Sequence, residues 1–287
     1  MQTESPPFRV RYADTDAQAV AYYGSYFAWQ EVGECHFLES LGLPVPEMDA
    51  RGFALTVAES YCRYVTPARY DDLLTVRTRL SAAAPKRFLL ENEIVRVEDG
   101  EVLAVGRLAD CYLSHKGRVQ PLPEQMLDAA DERVGKVVIS ERVGRHLIPT
   151  PQGSREHTHE IRVRYADTDQ QGVAYCGSFY AWFEEGRNEL TRAVGLPYSV
   201  LERRGVYLPV AEAYCRYRAP LRARERFRIT TAVPALGRAR MTFTNRMTTV
   251  DGTRTIAVGF TVHACVGRDG RPRALEPEIV EHFSPAP

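Results

Sequence analysis

The chain has 287 residues, 44% of them hydrophobic, and its 37 acidic residues balance 37 basic ones. That is enough apolar material for two domains of roughly 130 residues each. A net charge of zero removes the broad attraction that draws proteins to nucleic acid or anionic membranes, and neither is expected as a partner.

Residues 1–7 lack the basic and apolar segments of a leader peptide, and no apolar run reaches membrane-spanning length, so a cytoplasmic protein is expected. The six cysteines (Cys35, Cys62, Cys111, Cys176, Cys215, Cys265) show no metal-ligand spacing and read as reduced core residues. All basic residues except Lys86, Lys116 and Lys136 are arginine. Coding bias is one explanation, and phosphate binding by some of these planar donor forks is another; the sequence does not say which arginines.

In chain order, Phe8 to Tyr12 alternates apolar residues with arginine, the period of a half-buried strand. An Asp-Thr-Asp loop follows. From about Tyr23 to Leu41 the spacing of Phe27, Trp29, Val32, Cys35 or His36, Phe37, Leu38 and Leu41 predicts a helix with a broad buried face, stopped by Gly42-Leu43-Pro44. Gly33 lies in mid-helix, where glycine costs about 1 kcal/mol against alanine, so close contact with another element is expected there. Strand-like runs then cover Ala54 to Val65, Leu73 to Ala82, Arg87 to Val97 and Val102 to Ser114. The order predicts an α+β unit, a curled antiparallel sheet with a long helix on one face.

The chain then repeats itself. At an offset of 153, Arg9 to Trp29 and Arg162 to Trp182 agree at 16 of 21 positions, and the same offset carries Gly33 to Gly186, Gly42 to Gly195, Tyr61 to Tyr214 and Pro67 to Pro220. A domain-sized period of this kind is a duplication of a whole folding unit. The expected division is residues 1–122, a proline-rich linker at 123–158 with a short helix near Glu124 to Arg133, and residues 159–287, with strands near Val206 to Tyr217, Arg226 to Val233, Arg240 to Val250 and Thr255 to Val266 before a short tail.

A pair of carboxylates just before a helix is on its own more often a cap than a site. The wider wording, Tyr12-Ala13-Asp14-Thr15-Asp16 through Val20, Tyr22 and Trp29, repeated from Tyr165 through Gly172, Val173, Tyr175 and Trp182, and joined by Tyr61-Cys62-Arg63-Tyr64 and Pro67-Ala68-Arg69-Tyr70-Asp71-Asp72, resembles the 4-hydroxybenzoyl-CoA thioesterase family of hot-dog proteins over nearly all of both copies.

The resemblance implies a tandem hot-dog fold, with the second hot dog supplied within the chain and sites at the seam. It implies hydrolysis of an acyl thioester on coenzyme A or a carrier protein, with no metal and no cofactor beyond the pantetheine of the substrate. Asp16 and Asp169 match the family's catalytic carboxylate, as general base or nucleophile. Asp14 and Asp167 are then loop organisers. The backbone amides of Tyr23 and Cys176 would receive the carbonyl oxygen at the helix N-terminus. Glu59 and Glu212 are tentative substrate-site residues, with a structural ion pair as the alternative, and His36, which corresponds to Glu189, is expected to be structural.

Two departures bear on the sites. Ala19 stands where the second copy has Gly172, so a need for positive φ or close substrate approach would favour the second site. The second copy also replaces the Pro67–Asp72 wording with Pro220-Leu221-Arg222-Ala223-Arg224-Glu225. A hot-dog dehydratase would want a histidine at the helix entrance, absent from both loops. A non-hydrolytic acyl-thioester-binding or pathway-accessory protein would keep the fold without needing the aspartates. Further assembly into a homo-oligomer is left open by the sequence.

Overall fold

A computed structural model describes residues 1–139 and 155–283. The chain divides into two compact units, residues 1–142 and 143–287.

In the first unit, β1 (Gln2–Glu4) and β2 (Phe8–Arg9) precede α1 (Ser25–Ser40) and a short α2 (Val45–Ala50). Four long antiparallel strands follow: β3 (Phe53–Tyr64), β4 (Leu73–Ala84), β5 (Arg87–Arg96) and β6 (Val102–Ser114), then α3 (Glu124–Ala129) and β7 (Glu132–Arg133). Their order across the sheet is β1-β4-β5-β6-β3, with β2 and β7 also on β4. A single N-terminal strand was expected at Phe8 to Tyr12. Only Phe8–Arg9 of it is a strand, and a further strand, β1, precedes it; Pro6 and Pro7, which have no amide to give the ladder, separate the two.

The second unit runs β8 (Glu156–Arg162), α4 (Ser178–Ala193), α5 (Tyr198–Arg203), β9 (Val210–Tyr217), β10 (Arg226–Leu236), β11 (Arg240–Thr249), β12 (Thr255–Ala264) and α6 (Pro277–Phe283). Its sheet order is β8-β10-β11-β12-β9. Register shifts within β4 at Leu80/Ala82 and β10 at Ala232/Ala235 add residues to one strand of each pair, which bends it and helps the sheet curl around its helix.

The expected linker and tail are in part structural. Leu122 and Met126 are buried in the first core, and β7 adds a parallel edge to β4. At the 153 offset α3 corresponds to α6, whose Ile279 and Phe283 are buried in the second core. Both short helices dock because they carry apolar side chains that the sheet alone leaves uncovered. Residues 140–154 of the predicted linker lie outside the described residues.

The long helices sit where the mid-helix glycines require. A Cβ on Gly33 would lie 2.4 Å from Thr78 Oγ1, and one on Gly186 would lie 2.3 Å from Thr231 Oγ1, so only glycine admits this approach of helix to sheet.

The buried face of α1 differs from the expected one. Val32 is 39% exposed and Cys35 and His36 are half-buried, while Gln30 and Glu34 turn inward with Tyr26, Trp29, Gly33 and Phe37. Gln30 lies over Gly106, the place Phe183 takes over Gly259 in the second unit. Burial raises both carboxyls: Glu34 is pushed up to about 8, and Asp110, which also faces Glu34, is held well above the usual carboxylate range. The corresponding residues of the second unit are Arg187 and His263. Burial and Arg187 hold His263 well below its ordinary value, and as a neutral ring it can donate from Nδ1 to the Leu208 carbonyl, 2.7 Å away, while Nε2 accepts from Thr261 Oγ1 at 2.9 Å.

Candidate active site

Each unit builds its Asp-Thr-Asp loop on the same hydrogen bonds. In the first, residues Tyr12–Asp14 form one turn of 3-10 helix. Asp14 is buried, and its carboxylate takes the Arg11 backbone N–H at 2.8 Å and the Arg11 guanidinium at 2.7 and 3.1 Å. Burial alone would raise its pKa, but the bonds from Arg11 outweigh that and hold it below the usual carboxylate range. The Asp14 carbonyl accepts from the Tyr22 amide at 2.8 Å and from Ser25 Oγ at 3.1 Å. Asp14 therefore closes the loop onto the helix entrance, and its carboxylate is occupied in doing so. Asp167 repeats these contacts with Arg164, Tyr175 and Ser178.

The second aspartate occupies a different environment. Asp16 is exposed; its Oδ1 accepts from the Gln18 amide at 2.8 Å, and its amide donates to the Val20 carbonyl at 2.9 Å. Asp169, half-buried, makes the same pair with Gln171 and Val173 at the same distances. A backbone donor on a carboxylate oxygen fixes its direction.

Ala19 has φ +57 and Gly172 has φ +71, so the position does require the left-handed region. Alanine nevertheless leaves the turn intact: Ala19 N reaches the Asp16 carbonyl at 3.1 Å and Gly172 N the Asp169 carbonyl at 3.0 Å. A Cβ on Gly172 would meet only Arg222 Nη1, at 3.8 Å. The turn is therefore the same with either residue, and the alanine adds local strain of about 1 kcal/mol.

Tyr23 and Cys176 sit two residues ahead of the first helical residues, Ser25 and Ser178, where helix N-termini present backbone donors. Their carbonyls are held from the sheet: Tyr64 donates its hydroxyl to the Tyr23 carbonyl at 2.8 Å, and Tyr217 donates to the Cys176 carbonyl at 3.0 Å. These two tyrosines received no role from sequence. The signal was their repetition at the 153 offset, in the quoted Tyr-Cys-Arg-Tyr wording.

Glu59 and Glu212 are buried. Strand alternation from Tyr64, which faces the entrance of α1, through Cys62 and Ser60 puts Glu59 on the opposite face of β3. The cysteines are less uniformly core than expected: Cys35 and Cys176 are half-buried, the others buried, and all six are free. Among the described residues no group of three or more His, Cys, Asp or Glu side chains could hold a metal ion, and no helix is long and apolar enough to cross a membrane.

A curled antiparallel sheet around a long helix, made twice, with a carboxylate loop at each helix entrance, defines a tandem hot-dog protein. The profile of the Thioesterase-like superfamily matches residues 10–130 and 163–283, and the chain belongs to that family. The two matches stand at the 153 offset and take in α3 and α6.

Over 121 residues the chain is 29% identical to the acyl-CoA thioester hydrolase YbgC of Escherichia coli O157:H7, covering 42% of this chain and 90% of that protein. The 12:0-ACP thioesterase from Umbellularia californica superposes with a TM-score of 0.72 at 13% identity, over 92% of this chain and 94% of that one. An acyl-ACP thioesterase from Bacteroides thetaiotaomicron gives 0.67 at 9% identity, over 91% and 97%. At such identities the likeness to these two structures is one of fold.

Proposed function

We propose that the protein hydrolyses an acyl thioester carried on coenzyme A or on a carrier protein, with Asp16 and Asp169 as the reacting carboxylates. The observation that carries this reading is the division of labour within each loop. One aspartate is buried and consumed by an arginine, while the other, exposed in the first loop and half-buried in the second, accepts a backbone amide of the loop that leads into the helix.

Thioester hydrolysis builds negative charge on the carbonyl oxygen. Backbone donors at Tyr23 and Cys176, just ahead of the helix N-terminus, would supply fixed positive dipole for that charge without reorganisation. The outward aspartate either removes a proton from attacking water or attacks the carbonyl itself to give a mixed anhydride that water then cleaves. In both routes the thiol leaves with a proton and the acyl group becomes a carboxylate. The E. coli relative, whose name states acyl-CoA thioester hydrolysis, supports the reaction class.

The test is release of free thiol from a panel of acyl-CoAs and acyl-carrier proteins. Wild type is expected to turn over part of the panel, and the Asp16→Asn, Asp169→Asn double variant to lose that activity by orders of magnitude. A wild type inert towards the whole panel would instead favour an acyl-thioester-binding protein of the same fold.

A further inference from the structure

The turn that follows β9 departs from its twin in one consistent direction. Between Pro67 and Leu73 the first unit has one arginine against two aspartates; between Pro220 and Arg226 the second has three arginines against one glutamate. In the first unit Arg9 is neutralised, its Nη1 lying 3.3 Å from the Asp71 carboxylate, and it stands opposite Leu73 in the ladder. In the second, Arg162 stands directly opposite Arg226. Like charges facing each other across a strand pair are destabilising. Arg226 is paired with Glu160 at 2.7 Å, and Arg164 is held by Asp167.

The first unit avoids a second cost at this turn as well. Arg224 has φ +74, where the twin has Asp71 at φ +72. Aspartate is one of the few residues that visit the left-handed region readily; arginine is not. Two locally unfavourable choices therefore bring exposed cations to one place.

That place adjoins the second catalytic loop. Arg224 N donates to the Val163 carbonyl and Val163 N to the Glu225 carbonyl, both at 2.9 Å, while Ala174 N donates to the Leu221 carbonyl at 2.7 Å. The turn is thus tied to both ends of the segment that holds Asp169. Arg222 Nη1 lies 3.4 Å from the Gly172 carbonyl, on the turn itself. The acidic groups nearby are engaged: Glu225 accepts from the Arg222 amide, Glu160 pairs with Arg226, Asp167 with Arg164, and Asp169 accepts from Gln171.

From this placement we infer that Arg162, Arg222 and Arg224 form a phosphate-binding subsite beside the second loop, for the phosphorylated end of the substrate's pantetheine arm. Guanidinium forks match phosphate oxygens, and strain retained next to a reactive loop has a functional return. The inference rests on the thioesterase reading, and it makes the two units unequal in how they recognise the carrier rather than in how they cleave.

The experiment is calorimetric titration of the full chain with coenzyme A, 4′-phosphopantetheine and unphosphorylated pantetheine, for wild type, Arg224→Asn and Arg162→Thr, with thermal melts of each. Asparagine suits the left-handed turn and threonine removes the like-charge pair, so both variants are expected to melt higher than wild type. Each is also expected to bind coenzyme A and 4′-phosphopantetheine about tenfold more weakly, with pantetheine affinity unmoved. A titration with a carrier protein bearing 4′-phosphopantetheine separates the two sources of the phosphate.

Unchanged coenzyme A affinity in both variants, or an equal loss for pantetheine, would overturn the subsite. So would a wild type that does not distinguish phosphorylated from unphosphorylated arms. If wild type hydrolyses nothing yet binds phosphopantetheine through these arginines, the catalytic reading fails and the subsite stands.

Discussion

Tyr64 donates its hydroxyl to the carbonyl oxygen of Tyr23 across a separation of 41 residues, and Tyr217 does the same for Cys176. A strand residue thereby holds the peptide chain that leads into the long helix of each unit.

Under the proposed mechanism the Tyr23 and Cys176 amides receive the developing oxyanion, so loss of the bond that holds their peptide chain should appear in the chemical step. Tyr64→Phe combined with Tyr217→Phe is expected to lower kcat about tenfold, close to the value of one hydrogen bond, and to leave KM nearly unchanged. Steady-state kinetics of thiol release checks this. A rise in KM at constant kcat would assign the tyrosines to substrate binding instead.

Ala19 at φ +57 carries strain that glycine would relieve. Ala19→Gly is expected to stabilise the first unit by a few tenths to about 1 kcal/mol, and Gly172→Ala to destabilise the second by a similar amount. Hydrolysis per site should stay within twofold in both, because the turn's hydrogen bonds are the same with either residue. Urea denaturation alongside the thiol assay measures the two effects.

The buried ionisable pairs make the units respond oppositely to pH. Glu34 is pushed up to about 8 and Asp110 is also raised, so the folded first unit holds protons that the unfolded chain has released. Stability from these groups is fully present below the unfolded carboxylate pKa, near 4.5, and is lost as pH rises towards about 8. His263 is depressed, so the second unit keeps its histidine neutral, and that contribution is lost as pH falls below about 6.5. Denaturation at pH 5.5 and 8.5 should show the first unit weaker at the higher pH, and Glu34→Gln should flatten that dependence. A wild-type first unit equally stable at both values would contradict the raised carboxyls.

Much of the fold could be read from sequence because it is written in periods: alternation for the strands, a three-to-four spacing for the helices, and 153 for the duplication. What escaped has physical reasons. Gln30, Glu34 and Asp110 are polar, and polarity reads as surface until partners inside the sheet are known. The helix α3 is expected, near Glu124 to Arg133, but as part of a linker, and α6 reads as a tail; the buried Leu122, Met126, Ile279 and Phe283 show that both segments belong to the cores. In the loop, Asp14 and Asp16 look alike in sequence; Arg11 separates them, because it occupies one carboxylate and leaves the backbone to orient the other. The role of Tyr64 depends on a contact 41 residues away, which no local pattern encodes.

The most direct measurement compares kcat for thiol release by wild type, Asp16→Asn, Asp169→Asn and the double variant on one turned-over substrate. With equivalent loop geometry at both sites, each single variant should keep a substantial fraction of wild-type activity and the double variant should lose at least about a hundredfold. A double variant that hydrolyses at the wild-type rate would contradict the assignment of the chemistry to these two carboxylates.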